Sequence, residues 1–303
     1  MTKRPIKNLS ASVRQRLTNT AKAESRRFSD VLQYYALERW LFRLSQSQYR
    51  ENFILKGALL FVVWKTPATR PTRDIDFLGR LNNDPEYIRS VVADVCQAHV
   101  DDDGLMFDPA TVATERIAED ADYQGVRATF QATLGNARIP MQIDIGFSDV
   151  MTPGPTAVSY PTILDFPAAS LLAYNRETAI AEKFEAMVKL GELNSRMKDF
   201  FDVATLASNF DFEGQELATA IRATFAKRQT PIQSQPICFS DHFFSDPTKA
   251  VQWKAFVRRS VIVCESEFSE VVEDVRNFLQ PVASKLVIDQ PFNQHWDRGG
   301  TWR

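Results

Sequence analysis

Two aspartates alternate with two apolar residues in the segment Asp74-Ile75-Asp76-Phe77. Successive side chains of a β-strand point to opposite faces, so the two acids share one face while Ile75 and Phe77 face a core. Adjacent carboxylates repel each other unless a cation neutralises them, and Mg²⁺ prefers such oxygen ligands. Because Asp-x-Asp pairs also occur on ordinary exposed strands, the pattern alone predicts a half-buried strand, and a metal site is a hypothesis.

A glycine turn precedes this strand and a third acid follows it. The segment Leu55 to Ala58 is typical of a strand that ends at a glycine and opens a short helix, where backbone N–H groups can cradle a phosphate. Met141 to Ile145 alternates again, with Asp144 on its polar face. A third acid beside Asp74 and Asp76 would complete a two-metal site for an in-line displacement. The predicted metal ligands are therefore these three aspartates.

The pattern changes from mixed to helical along the chain. Alternating stretches at 125–134 and 139–147 predict further strands, joined by a Gly-Asn turn. Four prolines in 151–167 favour a boundary, and helical spacing dominates after them. We therefore predict an α+β fold with a mixed sheet in residues 1–160 and a helical C-terminal domain, residues 161–303, that completes the active-site cleft.

The first fifty residues are strongly basic. They contain 11 Lys or Arg and 3 Asp or Glu, a net charge of +8, although the whole chain carries −2. Two helices are predicted there, with Val13 and Leu17 facing a core and Arg39 and Arg43 in solvent. Clustered cations are typical of surfaces that bind phosphate backbones, and a pair of solvated amphipathic helices is the alternative.

Composition excludes several classes of protein. The three cysteines and three histidines are scattered, which argues against a disulfide framework and a zinc site and fits a reducing cytoplasm. The longest apolar run, Phe53 to Trp64, is interrupted by Lys56 and is too short to span a bilayer. We therefore expect a cytoplasmic protein with no membrane partner.

The helical half contributes a lysine and two acids. Lys183 falls at the edge of the apolar stripe of its predicted helix, so it either snorkels to solvent or points into a site. Asp199 and Asp202 lie on the inner arc of the next helix, where buried acids need partners. Asp199 can instead cap that helix. The functional hypothesis is that all three face the Asp74 and Asp76 strand across a cleft.

A glycine turn, a short helix, a strand with two acids and a later strand with one form the order of the polymerase-β-like nucleotidyltransferase core, which this sequence resembles. Four ordered motifs further resemble the AbiEii/AbiGii abortive-infection toxin family, and the tail Trp296 to Trp302 is similar to tails in that family. The motifs are Lys56 to Leu60, Arg70 to Gly79, Glu177 to Lys183, and Lys198 to Asp202. Ala58 departs from the usual Ser or Gly, and the gap from Gly57 to Asp74 is longer than typical.

The resemblance implies a toxin of a bacterial toxin–antitoxin, abortive-infection or phage-defence system. Such an enzyme uses Mg²⁺ and a nucleoside triphosphate (CTP, GTP or another) to add nucleotides to the tRNA 3′ acceptor end, which blocks translation. A cognate antitoxin and a monomeric toxin are expected. The basic N-terminal helices would guide the tRNA.

The resemblance also assigns roles to residues. Asp74, Asp76, Lys183 and Asp202 would be catalytic, Asp202 by orienting or deprotonating the acceptor hydroxyl. Thr72 lies where relatives carry a hydroxyl that some antitoxins phosphorylate. The implied nucleotide-binding set is Lys56, Gly57, Ala58, Thr72, Arg73, Lys183 and Asp199.

Two other functions remain open at this stage. A nucleotidyltransferase acting on a protein or small-molecule acceptor would use the same acids, but a small acceptor gives no reason for the basic end. A catalytically silent binding module would have no need to keep so many clustered charges.

Overall fold

The computed structural model describes residues 8–67, 70–120, 123–260 and 264–303, with the backbone alone for 118–120 and 123–124. The helices are α1 Leu9–Ala23, α2 Phe28–Gln46, α3 Leu60–Val63, α4 Pro85–Cys96, α5 Arg176–Leu190, α6 Met197–Asn209, α7 Gly214–Lys227, α8 Asp241–Phe244, α9 Pro247–Ser260 and α10 Phe268–Val287. The strands are β1 Phe53–Lys56, β2 Asp74–Gly79, β3 Leu105–Asp120, β4 Tyr123–Leu134, β5 Ala137–Gly146, β6 Thr156–Tyr160, β7 Ala169–Ala173, β8 Phe212–Glu213 and β9 His295–Trp296.

The described residues form two compact units. Unit 1 takes its residues from 1–64, 71–148 and 156–173, and unit 2 takes its residues from 65–70, 149–155 and 174–303. None of the helices in the described ranges is both long and apolar enough to cross a membrane.

Unit 1 is built on a seven-stranded sheet in the order β3-β4-β5-β2-β1-β7-β6. β2 pairs in parallel with β5, and β1 pairs in parallel with β7, while the other neighbours are antiparallel. The predicted mixed sheet of an α+β fold is therefore confirmed. β7 lies in the part of the sequence that was expected to be helical, yet it completes this sheet, because its short alternating apolar run is buried beside β1.

Helix α2 covers one face of the sheet. Trp40 is fully buried, and its ring lies 6.2 Å from that of Phe77 in β2 and 6.1 Å from that of Phe130 in β4. Ile75 is buried on the same strand as Phe77, as the alternation predicts. The opposite face of the central strands is therefore left for the acids.

The expectation that Arg39 and Arg43 stay in solvent is wrong. Both are buried, because their guanidinium groups find partners inside unit 1. Arg43 donates to both carboxylate oxygens of Asp103, at 2.7 and 3.1 Å, and Arg39 donates to the Pro167 carbonyl at 2.7 Å. An arginine fork that is paired in this way can be held in a low-dielectric interior. Arg39 and Arg43 therefore cannot contribute to an exposed basic surface in the N-terminal region.

Unit 2 is mainly helical and has an aromatic core. Phe200 of α6 lies 5.2 Å from the ring of Phe268 in α10. The C-terminal tail packs on α10, where the ring of Trp302 stacks on Phe278 at 5.6 Å and the Trp302 indole donates to the Phe278 carbonyl. The tail also adds β9 to β8, so the last residues are part of this unit's fold.

The buried Glu38 generates a prediction about pH. Burial raises the pKa of this carboxyl to about 7, although the Ile163 backbone N–H and Arg39 oppose the shift. Because the pKa in the folded state exceeds the unfolded value, stability falls as pH rises from about 4.5 to about 7. We expect Glu38→Gln to remove this fall, a difference of up to about 3 kcal/mol in the free energy of unfolding. Urea denaturation at pH 5 and at pH 8 measures the free energy of unfolding. An equal change between these two pH values in the wild type and in Glu38→Gln would contradict the prediction.

Candidate active site

Three carboxylates come together on the face of the sheet opposite α2. The parallel pairing of β2 with β5 places Asp76 beside Asp144 and Asp74 beside Gln142. One oxygen from each of Asp74, Asp76 and Asp144 lies within 4.8 Å of the others. We call these three residues the acidic triad. Hard oxygen ligands at this spacing fit a divalent cation such as Mg²⁺.

Gly57 brings the backbone against the triad. It follows β1 with a φ of 74°, which favours glycine, and begins the 3₁₀ turn Gly57–Leu59 that leads into α3. A Cβ at this position would lie 1.9 Å from Oδ2 of Asp76. The preceding residue, Lys56, is buried and lies opposite Asp76 in the β1–β2 register, and Ala58 is buried in the turn. The turn therefore places a backbone segment and a lysine at the edge of the triad.

Arg127 of β4 pairs with the third acid, although no role was predicted for it. Its Nε and Nη2 donate to the two oxygens of Asp144 at 2.8 Å each, and this carboxylate raises the pKa of Arg127. Nε2 of Gln142 donates to the same oxygens at 3.3 and 3.2 Å. The two-residue turn between β4 and β5 sets this register, so counting back from Gly135-Asn136 would have placed Arg127 opposite Asp144. The sequence therefore carried a usable signal.

The loop before β2 holds Thr72 and Arg73. Thr72 is buried, and its hydroxyl donates to the Asp74 carboxylate. Its backbone N–H donates to the Tyr34 hydroxyl of α2 at 3.2 Å, while the amide of Gln33 donates to the Arg73 carbonyl. Arg73 itself is exposed. Gln33 and Tyr34 of α2 thus hold the loop that precedes Asp74 in position.

A second charged cluster lies in unit 2. Nζ of Lys183 donates to Asp202 at 2.7 Å and to Asp199 at 3.2 Å. Arg70 donates to both oxygens of Asp202, at 3.1 and 3.2 Å, and Arg196 donates to Asp199 at 2.6 Å. We call these five residues the lysine cluster. It brings Lys183, Asp199 and Asp202 together as expected, whereas the site residues named from the sequence did not include Arg70 and Arg196.

Burial and pairing control the charges of this cluster. Asp199 and Asp202 are buried, and the Lys183 side chain is 14% exposed. Burial acts to lower the pKa of Lys183, but Asp202 and Asp199 outweigh it, so the pKa is raised. Burial acts to raise the pKa of Asp199, but Lys183 and Arg196 outweigh it, so this pKa is lowered. The lysine therefore stays charged at neutral pH.

The residues predicted from sequence thus fall into two sets. The triad, Lys56, Gly57, Ala58, Thr72 and Arg73 belong to unit 1, and Lys183, Asp199 and Asp202 belong to unit 2. Asp199 does not cap α6 with its side chain, because the carboxylate is engaged by Lys183 and Arg196. The catalytic roles of these residues and the cleft between the two domains stay predictions.

Comparison with known proteins identifies one family. The family model described as "Nucleotidyl transferase AbiEii toxin, Type IV TA system" matches residues 39–277. A search of curated proteins gives no match. Among solved structures, JHP933 from Helicobacter pylori is similar, with a TM-score of 0.48 and 14% identity over 83% of this chain and 90% of that one. MenT4, a nucleotidyltransferase toxin from Mycobacterium tuberculosis H37Rv, is similar with a TM-score of 0.48 and 14% identity over 92% and 98% of the two chains.

The close approach of Gly57 to Asp76 can be tested by adding one methyl group. We expect Gly57→Ala to weaken Mn²⁺ binding at least about tenfold, because the new Cβ must displace the Asp76 carboxylate. Electron paramagnetic resonance of free Mn²⁺ measures the affinity. Gly135→Ala is the matched control, since Gly135 also has a positive φ, 57°, but a Cβ added there would lie 3.8 Å from its nearest neighbour. Equal Mn²⁺ affinities of the two variants would contradict the expectation.

The Arg127–Asp144 ion pair leads to a second metal prediction. Arg127→Gln removes the cation that neutralises Asp144, so the triad becomes more negative. We expect Mn²⁺ to bind at least about threefold more tightly, because a neighbouring positive charge opposes cation binding. Arg138→Gln, an exposed arginine on β5, controls for the loss of one charge on the sheet. Weaker binding in Arg127→Gln alone would show that Arg127 serves mainly to orient the ligand.

Proposed function

Because the chain belongs to the AbiEii nucleotidyl transferase toxin family of type IV toxin–antitoxin systems, we propose that it transfers nucleotides from a nucleoside triphosphate to RNA, at the 3′ acceptor end of tRNA. Blocked acceptor ends cannot be aminoacylated, so translation stops. Growth arrest of this kind would serve abortive infection or phage defence, and a cognate antitoxin restrains it. The observation that carries the proposal is the acidic triad beside the Gly57 turn.

The triad supports a metal-dependent transfer. Asp74, Asp76 and Asp144 would hold Mg²⁺, which supplies neutralisation of the phosphate charge that develops during displacement. Thr72 donates to Asp74 and Gln142 donates to Asp144, so these side chains orient the carboxylates before substrate arrives. Such preorganisation lowers the cost of assembling the reactive arrangement.

The Gly57 turn supports binding of the donor phosphates in unit 1. Only a glycine lets the backbone approach Asp76 so closely, and backbone N–H groups at such turns can donate to a phosphate. Lys56, Ala58 and Arg73 would line this donor site. Phosphates placed there would lie beside Asp74 and Asp76, which would hold Mg²⁺ and so supply neutralisation of the phosphate charge.

The lysine cluster supports a role in charge stabilisation. A charged Lys183 fits the task of holding a triphosphate, and Asp199 and Asp202 keep it charged and oriented. Asp202 accepts hydrogen bonds from both Lys183 and Arg70. We infer that Asp202 acts first by positioning these two cations. Deprotonation of the acceptor hydroxyl by Asp202 would first require its release from them.

Exposed cations of the N-terminal region support an RNA acceptor over a small one. Lys22, Arg26 and Arg27 are exposed around the end of α1. The guanidinium of Arg26 lies 5.2 Å from the centre of the Tyr34 ring, and the Tyr34 hydroxyl accepts from the Thr72 backbone. Arg26 thus lies near the loop that leads to Asp74, and the exposed cations of this region could contact RNA phosphates.

Thr72 offers one means of control by an antitoxin. Its hydroxyl is buried against Asp74, so a phosphoryl group there would add negative charge next to two acids and oppose metal and nucleotide binding. Modification of Thr72 would require the loop to move, because the side chain is only 7% exposed.

Labelled-nucleotide transfer tests the proposal. Purified protein is incubated with total RNA, Mg²⁺ and each of the four α-³²P-labelled nucleoside triphosphates, and the products are separated by size. We expect label in tRNA with at least one triphosphate, and loss of more than about 99% of it in Asp74→Ala, because one triad ligand is missing.

Asp165→Ala is the matched control, since Asp165 is an exposed aspartate outside both clusters. Label in a protein or a small molecule but not in RNA would favour the alternative acceptors. Growth arrest on expression that persists in Asp74→Ala would contradict an enzymatic toxin.

A further inference from the structure

A cavity of about 320 Å³ opens beside the acidic triad, within unit 1. Its polar lining consists of Arg73, Asp74, Thr111, Thr129, Gln131 and Gln142. The buried residues Phe130 and Met141 also line it. The volume lies at the lower end of the range of about 300–1,000 Å³ that is typical of small-ligand sites. The cavity can therefore take one nucleoside-sized group.

Strand order fixes the side of the triad on which this cavity lies. Residues of the cavity belong to β3, β4 and β5 and to the start of β2, and one register row runs from Asp74 to Gln142 to Thr129. The Gly57 turn follows β1, on the other side of β2. The turn and most of the cavity therefore lie on opposite sides of β2.

The chemistry of nucleotidyl transfer gives this arrangement a meaning. The acceptor oxygen forms a new bond to the α-phosphorus, the bond from that phosphorus to the bridging oxygen breaks, and pyrophosphate leaves with the electron pair. The proton of the acceptor hydroxyl is lost to water. In an in-line displacement the attacking and leaving oxygens lie on opposite sides of the phosphorus. If the donor phosphates lie at the Gly57 turn, the acceptor must approach from the side of the cavity.

We propose that this cavity binds the terminal ribonucleoside of the RNA acceptor. The proposal rests on the proposed function and specifies its acceptor site. The amides of Gln131 and Gln142 and the hydroxyl of Thr129 offer both donors and acceptors, which suits the edge of an unpaired base. Arg73, exposed at the rim, suits the phosphate that precedes this nucleoside.

A filling substitution on β4 tests the proposal. Thr129 is exposed in the cavity, so Thr129→Trp would occupy it. Thr133→Trp is the matched control, because Thr133 lies on the same face of the same strand but outside the cavity. Steady-state transfer is measured with wild-type protein and both variants, varying first the RNA acceptor and then the triphosphate. Gln131→Leu is a second variant that removes an amide and keeps its volume.

We expect Thr129→Trp to raise the KM for RNA at least about tenfold and to change the KM for the triphosphate less than about twofold. Gln131→Leu should also raise the KM for RNA, and Thr133→Trp should change neither the KM for RNA nor the KM for the triphosphate. A raised KM for the triphosphate with an unchanged KM for RNA would overturn the proposal and assign the cavity to the donor base. Absence of any transfer to RNA by the wild-type protein would instead refute the proposed function itself.

Discussion

Repulsion among Asp74, Asp76 and Asp144 is the constraint around which unit 1 is arranged. Three carboxylates with oxygens within 4.8 Å of one another would destabilise the sheet if nothing opposed their charge. Side chains on the neighbouring strands supply part of that opposition. Lys56 lies opposite Asp76 on one side of the pair, and Arg127 is bonded to Asp144 on the other. The register therefore forms a row of cation, acid, acid and cation across β1, β2, β5 and β4.

The two charged clusters differ in their proportions of acidic and basic side chains. In unit 1 the triad carries three negative charges against two cations in its register row. In the lysine cluster of unit 2, Lys183, Arg70 and Arg196 carry three positive charges against the two acids. Buried charges are costly unless they are paired, and both clusters bring acids and cations into direct contact. An acidic site suits a metal cation, and a site rich in cations suits a phosphate.

Local sequence patterns predicted the elements on which the triad lies. The alternation in β2 placed Asp74 and Asp76 on one face, and the Gly135-Asn136 turn defined the β4–β5 hairpin. The register of an antiparallel pair follows from such a turn, so the position of Arg127 opposite Asp144 could have been predicted from the sequence. The register of the parallel pair β2 and β5 cannot be predicted in this way, because no short turn joins the two strands. The proximity of Asp76 to Asp144 was therefore a hypothesis from metal chemistry and family resemblance and did not follow from local sequence patterns.

Other features escaped because distant partners decide them. Arg39 and Arg43 have the helical spacing of solvated residues, and the partner that buries Arg43, Asp103, lies 60 positions along the chain from it. β3 is interrupted by an irregularity between Asp108 and Ala113, so its alternation is not regular enough to predict a 16-residue strand. Arg70 is a cation at an ordinary loop position until Asp202 of α6, 132 positions along the chain, is folded against it.

The same dependence on distant partners explains why the cavity beside Asp74 could not be predicted. Its polar lining comes from the loop before β2 and from four strands, and apart from Asp74 each contributing segment alone is an ordinary run of Thr, Gln and Arg. Side chains of β4 and β5 become neighbours of Asp74 only because β5 lies between β4 and β2 in the sheet. Strand order, which places Gly57 and the cavity on opposite sides of β2, is thus what separates the proposed donor side from the proposed acceptor side.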